Sequence, residues 1–280
     1  MATARLLAID LDGTLLRSDG TMAPQDQEAI AAVRADGMAV TLATGRLSSS
    51  ALPFAHALGL ADPLVCADGA VLFCPTRGAP LDLMALPTAT LSRLLVYLRR
   101  VDLSPFFFTH DTVLGAASHA ARFPFVAGWT PNVVAFNDLD AASAGGDVIT
   151  AIGLGSEASV LAAEVALNED PAVRGDVIVF PLRPTDHWVV RLAPRGCNKA
   201  AGLERLVRRL GLGPNDVAAI GDWHNDLAML RWAGFSFAMG QAPPEVKRAA
   251  GRTLCATASM GGGVAEAIEH LRGMVGSTFG

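Results

Sequence analysis

The sequence predicts an α/β protein, a parallel-sheet core with an α+β domain inserted into it. Three observations predict it. Apolar, strand-like runs alternate with helical stretches at both ends of the chain, and the turns that follow those runs are polar and glycine-containing. Between about residue 80 and residue 189 that alternation gives way to a different, strand-rich text. The expected boundaries are a core of residues 1–80 and 190–280 and an inserted domain of residues 81–189. At 280 residues, with 51% hydrophobic and 18% charged, the chain suffices for one large or two modest domains with a well-buried interior.

Residues 6–9 (Leu-Leu-Ala-Ile) are uninterruptedly apolar, as in a parallel strand buried on both faces. Asp10-Leu11-Asp12-Gly13-Thr14 follows. Alternation along a strand sends residues i and i+2 to one side, so Asp10 and Asp12 are expected to face one small volume. Two carboxylates that close repel unless a cation sits between them, and a hard cation such as Mg²⁺ takes carboxylate and carbonyl oxygens. Gly13 permits a sharp turn and Thr14 offers a hydroxyl to hold it. The plain alternative is a strand that ends in a polar turn.

Residues 24–35 have helical apolar spacing (Ile30, Val33), and Gly37 suits the helix stop. Residues 38–43 read as a second strand, ending in Thr44-Gly45-Arg46. A helix with Ser48 and Ser50 near its start and Leu58-Gly59 at its end leads to a third strand at 64–67 and the turn Asp68-Gly69. The inserted region carries strands at 104–109, 148–153, 177–180 and 188–192, with helices at 90–99 and 157–168. After Lys199 come a helix at 200–210, a strand at 217–220 and the turn Gly221-Asp222. Further strands are expected at 235–239 and 253–256.

A net charge of -5 argues against a nucleic-acid partner, which needs a clustered positive excess. Arg205, Arg208 and Arg209 read as the exposed face of a helix. Cys66, Cys74, Cys197 and Cys255 lie far apart with no C-x-x-C pair, so neither zinc site nor disulfide framework is expected. Three of the four sit in apolar contexts and are expected to act as small core residues. The N-terminus meets acids early, and no window reaches 18 uninterrupted apolar residues. The expectation is a cytoplasmic protein with no membrane partner.

In an open parallel sheet, ligands bind beyond the carboxyl ends of the strands. The first strand carries Asp10 and Asp12 there. The second carries Thr44, with Gly45 allowing a backbone N–H to approach an anion closely. The strand at 217–220 carries Asp222, and Asn225 and Asp226 open the next helix. Hydroxyls, amides and helix N-termini suit phosphate oxygens, a third carboxylate completes a divalent metal site, and Lys199 adds a cation for phosphoryl charge. Each piece alone has an ordinary reading. Thr-Gly is a turn, a lysine in a first helical turn is solvated, and Asn-Asp before a helix is a cap.

At these residues the chain resembles the haloacid dehalogenase-like (HAD) hydrolases, and its C-terminal text at 238–247 is similar to their Cof-like group, subfamily IIB. Asp10 to Thr14 looks like the first motif, Thr44-Gly45-Arg46 the second, Lys199 the third and Gly221 to Asp226 the fourth. The first and second motifs lie 34 residues apart and the second and third 155 apart, so the cap falls between the second and third, as in that subfamily. Asp68 departs from the family's usual Asn in an Asn-Gly turn, and Ala200 from a frequent Gly.

The resemblance implies a Rossmann-like parallel sheet core with an inserted α+β cap that sets specificity. It implies a Mg²⁺-dependent phosphatase acting on a small phosphorylated metabolite, a sugar phosphate or a nucleotide or cofactor phosphate. Asp10 is then the nucleophile that forms an aspartyl-phosphate, and Asp12 the general acid and base. Mg²⁺ is held by Asp10, the backbone carbonyl of Asp12 and Asp222, with Asp226 outside them positioning waters or Lys199. Leu11, Thr44, Gly45, Arg46, Lys199 and Asn225 bind the phosphoryl group. His110, His119, Trp129, Arg183, His187 and Trp188 are cap candidates for substrate contact, beside core or surface roles; Trp223 and His224 lie closer to the chemistry. The alternatives are a phosphosugar mutase or dedicated sugar-phosphate phosphatase and, more remotely, a non-catalytic phosphometabolite-binding regulator. A monomer or homodimer is expected.

Overall fold

The computed structural model describes residues 4–127, 130, 132–137 and 147–276; Trp129 lies outside them. The chain divides into two compact units. The first comprises residues 1–45, 51–81 and 198–280, and the second residues 46–50 and 82–197.

The first unit is built on a five-stranded, all-parallel sheet. Its strands are β1 (Leu6–Ile9), β2 (Ala39–Leu42), β12 (Val217–Gly221), β13 (Phe235–Ala238) and β14 (Arg252–Thr253). They run in the order β14-β13-β12-β1-β2, with β1 between β12 and β2. All four residues of β1 are fully buried, as a continuous apolar run between two neighbours requires, and each buried leucine contributes ~1.5–3 kcal/mol. Register decides what meets at the carboxyl edge. Ile9 lies opposite Ile220 on one side and Leu42 on the other, so Asp10, Thr44 and Asp222 emerge beside one another.

Helices α1 (Pro24–Ala35), α2 (Ser48–Ala57), α6 (Lys199–Leu210), α7 (Leu227–Trp232), α8 (Pro244–Ala249) and α9 (Gly263–Gly276) accompany these strands. Pro24 opens α1, where a missing N–H costs nothing. The Asn198 side chain caps α6 by accepting the Ala201 N–H (3.0 Å), and Gly211 closes it in the left-handed region. Leu203, Leu206 and Val207 of α6 pack with Leu6, Ala8 and Val217 in the core beneath the sheet edge. The buried Asp26 of α1 accepts N–H groups from Gly262 and Ala265, both at 2.9 Å, and so ties the start of α9 to α1.

The third strand departs from expectation. β3 (Leu64–Cys66) belongs to a separate sheet, β3-β4-β5, with β4 (Val71–Cys74) antiparallel to it and β5 (Ala79–Leu83) next. Only a single parallel bridge, Ala43 to Val65, links β3 to the end of β2. Ala67 and Asp68 both have positive φ, and the turn expected at Asp68-Gly69 sends the chain back antiparallel into β4.

The second unit holds a six-stranded sheet in the order β10-β11-β9-β6-β7-β8. The strands are β6 (Ser104–Phe108), β7 (Val113–Ala116), β8 (Val133–Phe136), β9 (Thr150–Gly155), β10 (Asp176–Leu182) and β11 (His187–Ala193). All pairs are antiparallel except β7 with β8. Helices α3 (Thr88–Arg100) and α5 (Glu157–Glu169) cover one face, and a short α4 (Phe123–Val126) follows β7. Leu91, Leu94, Leu95 and Leu98 make the apolar stripe of α3, and they pack with Val160 and Leu167 of α5 over Phe107, Ala151 and Val190. Because β11 pairs along its length with β10, this unit extends to Cys197, beyond residue 189.

Two expectations are corrected. Only Cys66 and Cys74 are buried, whereas Cys197 is half-buried and Cys255 exposed; none of the four is in a disulfide. Arg205 does not share the exposed face of Arg208 and Arg209, because it is half-buried and its guanidinium donates to the Gly69 carbonyl. No helix among the described residues is long and apolar enough to cross a membrane.

Candidate active site

β1 ends at Ile9, so strand alternation does not aim both acids. Asp10 is placed by the sheet. Its N–H donates to the Ile220 carbonyl (3.0 Å), and the residue is 4% exposed. Asp12 lies in the following turn with its side chain exposed. Gly13, at φ +82°, makes that turn, and a Cβ there would collide with the Asp222 carboxylate. Thr14 holds the site and not its own turn. Its hydroxyl faces Asp222 Oδ1 at 3.4 Å, a long contact.

Lys199, the first residue of α6, is completely buried. A cation is disfavoured at a helix N-terminus and in an apolar interior, so its position needs acids to hold it. Its Nζ donates to Asp10 Oδ1 (2.5 Å) and Asp226 Oδ1 (2.6 Å). The other oxygen of Asp226 accepts the N–H groups of Asp222 (2.8 Å) and Trp223 (3.0 Å). Asp226 therefore shapes the loop after β12 as well as positioning Lys199. That close approach leaves no room at Gly221, where a Cβ would come within 2.6 Å of Asp226 Cγ.

Carboxylate oxygens of Asp10, Asp222 and Asp226 lie within 4.8 Å of one another, all buried. Three acids face one ammonium, and the imbalance is felt. Burial pushes Asp10 up to about 8, with Lys199 opposing and Asp226 reinforcing the shift. Burial and the neighbouring Asp226 push Asp222 up to about 6. Burial works against the Lys199 charge, but Asp10, Asp226 and Asp68 overcome it and hold the ammonium above its ordinary range. This donor set fits a hard divalent cation, through Asp10 and Asp222, because all its donors are oxygens and positive charge is what the cluster lacks.

On the β2 side, Thr44 is fully buried. Its N–H is committed to the Val65 carbonyl (2.9 Å) and its carbonyl accepts the Asp68 N–H (3.0 Å), so that amide is not an anion donor. Gly45 is exposed, and a Cβ on it would stand 3.0 Å from Asp68 Oδ1. Asn225 Nδ2 donates to that same oxygen (3.1 Å). Gly45, Asp68 and Asn225 therefore converge. Leu11 is fully buried and its carbonyl accepts the Leu16 N–H (2.8 Å), so any ligand contact it makes uses its backbone N–H.

Arg46 is counted with the second unit and is half-buried. In that unit the His110 carbonyl accepts the Ser48 hydroxyl (2.7 Å) and His110 Nδ1 lies 3.2 Å from it. His187 meets Phe125 edge-on at 4.7 Å, and Trp188 packs against the hydrophobic core. Arg183 is exposed in the turn between β10 and β11, and His119 is half-buried in the short helical turn after β7. In the first unit Trp223, 57% exposed, sets its ring edge-on to His224 (5.0 Å), and His224 reaches Glu245 at 3.8 Å.

Asp10, Lys199, Asp222 and Asp226 thus gather at one edge of a parallel α/β sheet. The profile of the haloacid dehalogenase-like hydrolase family matches residues 7–268. The chain belongs to the haloacid dehalogenase-like hydrolases. It is 28% identical over 264 residues to the 5-amino-6-(5-phospho-D-ribitylamino)uracil phosphatase YitU of Bacillus subtilis, across 89% of this chain and 91% of that protein. It is 30% identical over 252 residues to an HMP-PP phosphatase of Yersinia enterocolitica, across 87% of this chain and 86% of that one. A haloacid dehalogenase-like hydrolase from Bacteroides thetaiotaomicron has the same fold, with a TM-score of 0.82 at 26% identity over 96% of this chain and all of that one. This HAD-like chain is thus an enzyme of a hydrolase family whose relatives act on small phosphorylated compounds.

Sequence reading did not single out the Gln241 side chain. Its Nε2 donates to the Gly13 carbonyl (2.6 Å) and to Asp222 Oδ2 (3.2 Å), and its Oε1 accepts the Ala258 N–H (3.1 Å). No local pattern announces such a link, because its partners lie 228, 19 and 17 residues away.

Proposed function

We propose that this enzyme is a Mg²⁺-dependent phosphatase that hydrolyses a small phosphorylated metabolite through a phosphorylated Asp10. The observation that carries this reading is Lys199 Nζ, buried and shared between Asp10 and Asp226, with Asp222 at the end of the adjoining strand. Asp10 Oδ attacks phosphorus, an O–P bond forms, and the bond to the leaving oxygen breaks. Asp12, exposed in the turn, gives a proton to that oxygen. It then takes one from the water that cleaves the Asp10–phosphoryl bond, so inorganic phosphate departs and both acids are restored. General acid-base help of this kind is worth ~10²–10⁴-fold.

Mg²⁺, held by Asp10, the Asp12 carbonyl and Asp222, would supply positive charge that keeps Asp10 ionised and offsets phosphoryl charge. Lys199 fixes the Asp10 carboxylate in one orientation, which removes the entropy of finding it. The Gly45, Asn225 and Leu11 amides and the Thr44 hydroxyl are assigned to phosphoryl oxygens. Trp223 adjoins Asp222, and its exposed ring is assigned to the leaving group; selection among leaving alcohols is the task of the inserted unit.

The test is phosphate release from a panel of sugar, nucleotide and cofactor phosphates with Mg²⁺. Turnover on at least one, lost by about 10³-fold or more in Asp10→Asn, is the expected outcome. Undiminished turnover in Asp10→Asn would refute the nucleophile. Transfer to a second sugar hydroxyl in place of water would identify a mutase, and no release across the panel by folded protein would point to a binding protein.

A further inference from the structure

We propose that Gln241 is a positioning residue for the metal site, holding Asp222 and the Asp10–Thr14 turn in register through one side-chain amide. The inference rests on Asp222 being a metal ligand. Nε2 has two hydrogens, and both are used across two different loops, on the Gly13 carbonyl after β1 and on Asp222 Oδ2 after β12. Oε1 is fixed by the Ala258 N–H. The orientation of the amide is therefore determined: a flip would set its oxygen against the Gly13 carbonyl and the Asp222 carboxylate, and its NH₂ against an N–H donor.

The register of β1 with β12 ends at Ile9 and Ile220 and its last rung is the Asp10 N–H to the Ile220 carbonyl, so beyond Asp10 no ladder joins the turn to the loop at Asp222. Side chains fix them instead. Asp226 holds the Asp222 and Trp223 amides from within the β12 loop. Thr14 reaches Asp222 Oδ1 only at 3.4 Å. Gln241 adds the link that binds Asp222 to the turn containing the Asp12 carbonyl, because the Gly13 carbonyl is the next one along the chain. An oriented carboxylate presents its lone pairs to a cation without having to reorganise, and loss of such an outer partner typically costs 10–100-fold in metal affinity. Asparagine, one methylene shorter, cannot reach all three partners at once. Glutamate would set a third carboxylate oxygen against Asp222.

Gln241 is itself exposed, so Gln241→Met, close to it in length but without the amide, opens no cavity. Mg²⁺ titration calorimetry on wild type, Gln241→Met and Gln241→Ala, without substrate, reads the effect apart from turnover. The expected result is Mg²⁺ affinity about 10–100-fold weaker in both variants. Their metal-free melting temperatures should lie near wild type, and phosphatase activity should climb back as Mg²⁺ is raised. Wild-type Mg²⁺ affinity in Gln241→Met overturns the inference, as does a kcat deficit that Mg²⁺ does not relieve. Absence of Mg²⁺ binding by the wild-type enzyme overturns the metal site itself, and with it this role.

Discussion

At the scale of single residues, the decisive one is Lys199. It is fully buried, and Asp10 and Asp226, which it meets at 2.5 and 2.6 Å, are buried with it. Removing one partner of such a group strands the others in a medium that solvates them poorly, at a cost of about 3–5 kcal/mol. Urea unfolding of Lys199→Met at pH 7 should show a loss of that order, alongside the loss of activity. A loss under about 1 kcal/mol would mean that water, and not Lys199, stabilises the acids. The identity of these residues was legible from sequence as acids at strand ends and at a helix start, with a lysine at the start of another helix. Their mutual assignments were not. That Asp226 grips Lys199 with one oxygen and two backbone amides with the other depends on groups 27, 4 and 3 residues away meeting in space. That the Thr44 N–H is spent on the Val65 carbonyl of β3 is likewise not written in the local sequence.

Among elements, the clearest legibility is in strands and helices whose apolar pattern is local. The α3 stripe and the four buried residues of β1 follow directly from periodicity. Pairing partners do not, and β3 illustrates it. Its three residues look like any other buried strand, but the positive φ of Ala67 and Asp68 sends the chain back antiparallel into β4. Helix α3 is also pinned to the loop after α5 by ionised groups, which gives a pH test. Asp170 accepts the Ala172 N–H at 2.8 Å and Arg93 Nε at 2.7 Å, with Tyr97 Oη at 3.1 Å. The Ala172 N–H and then the Arg93 guanidinium hold its carboxyl below the ordinary 3.8, against burial. A lowered folded-state value means that the unfolded chain takes up the proton first as pH falls. The contribution is complete above pH 3.8 and is lost as pH falls through the folded value. Unfolding free energies measured from pH 6 to pH 2 should therefore fall less steeply below that point in Asp170→Asn than in wild type. Parallel acid limbs would remove Asp170 from the account.

At the scale of the whole molecule, the fold concentrates negative charge at one sheet edge, which the proposed Mg²⁺ would balance. Asp10, Asp222 and Asp226 converge within 4.8 Å with one lysine among them. If a divalent ion binds the folded chain there and not the unfolded one, Mg²⁺ at about 100 times its dissociation constant adds ~2.7 kcal/mol of stability. The melting temperature of wild type should then rise by several degrees with Mg²⁺, and that of Asp222→Asn should not. An equal rise in both would place the stabilising ion elsewhere.

The sequence by itself determined the fold class; it also placed an insertion between the second and third motifs and named the acids and the lysine that the proposed chemistry uses. Each of these is written in local runs and in spacing along the chain. Only the tertiary structure decided which acid holds the lysine, which amides remain for an anion, that β3 leaves the parallel sheet, and that Gln241 ties Asp222 to Gly13. Those facts arise where segments far apart in sequence are brought within hydrogen-bond distance by strand register, and register is set by packing over the whole sheet and not by any one segment.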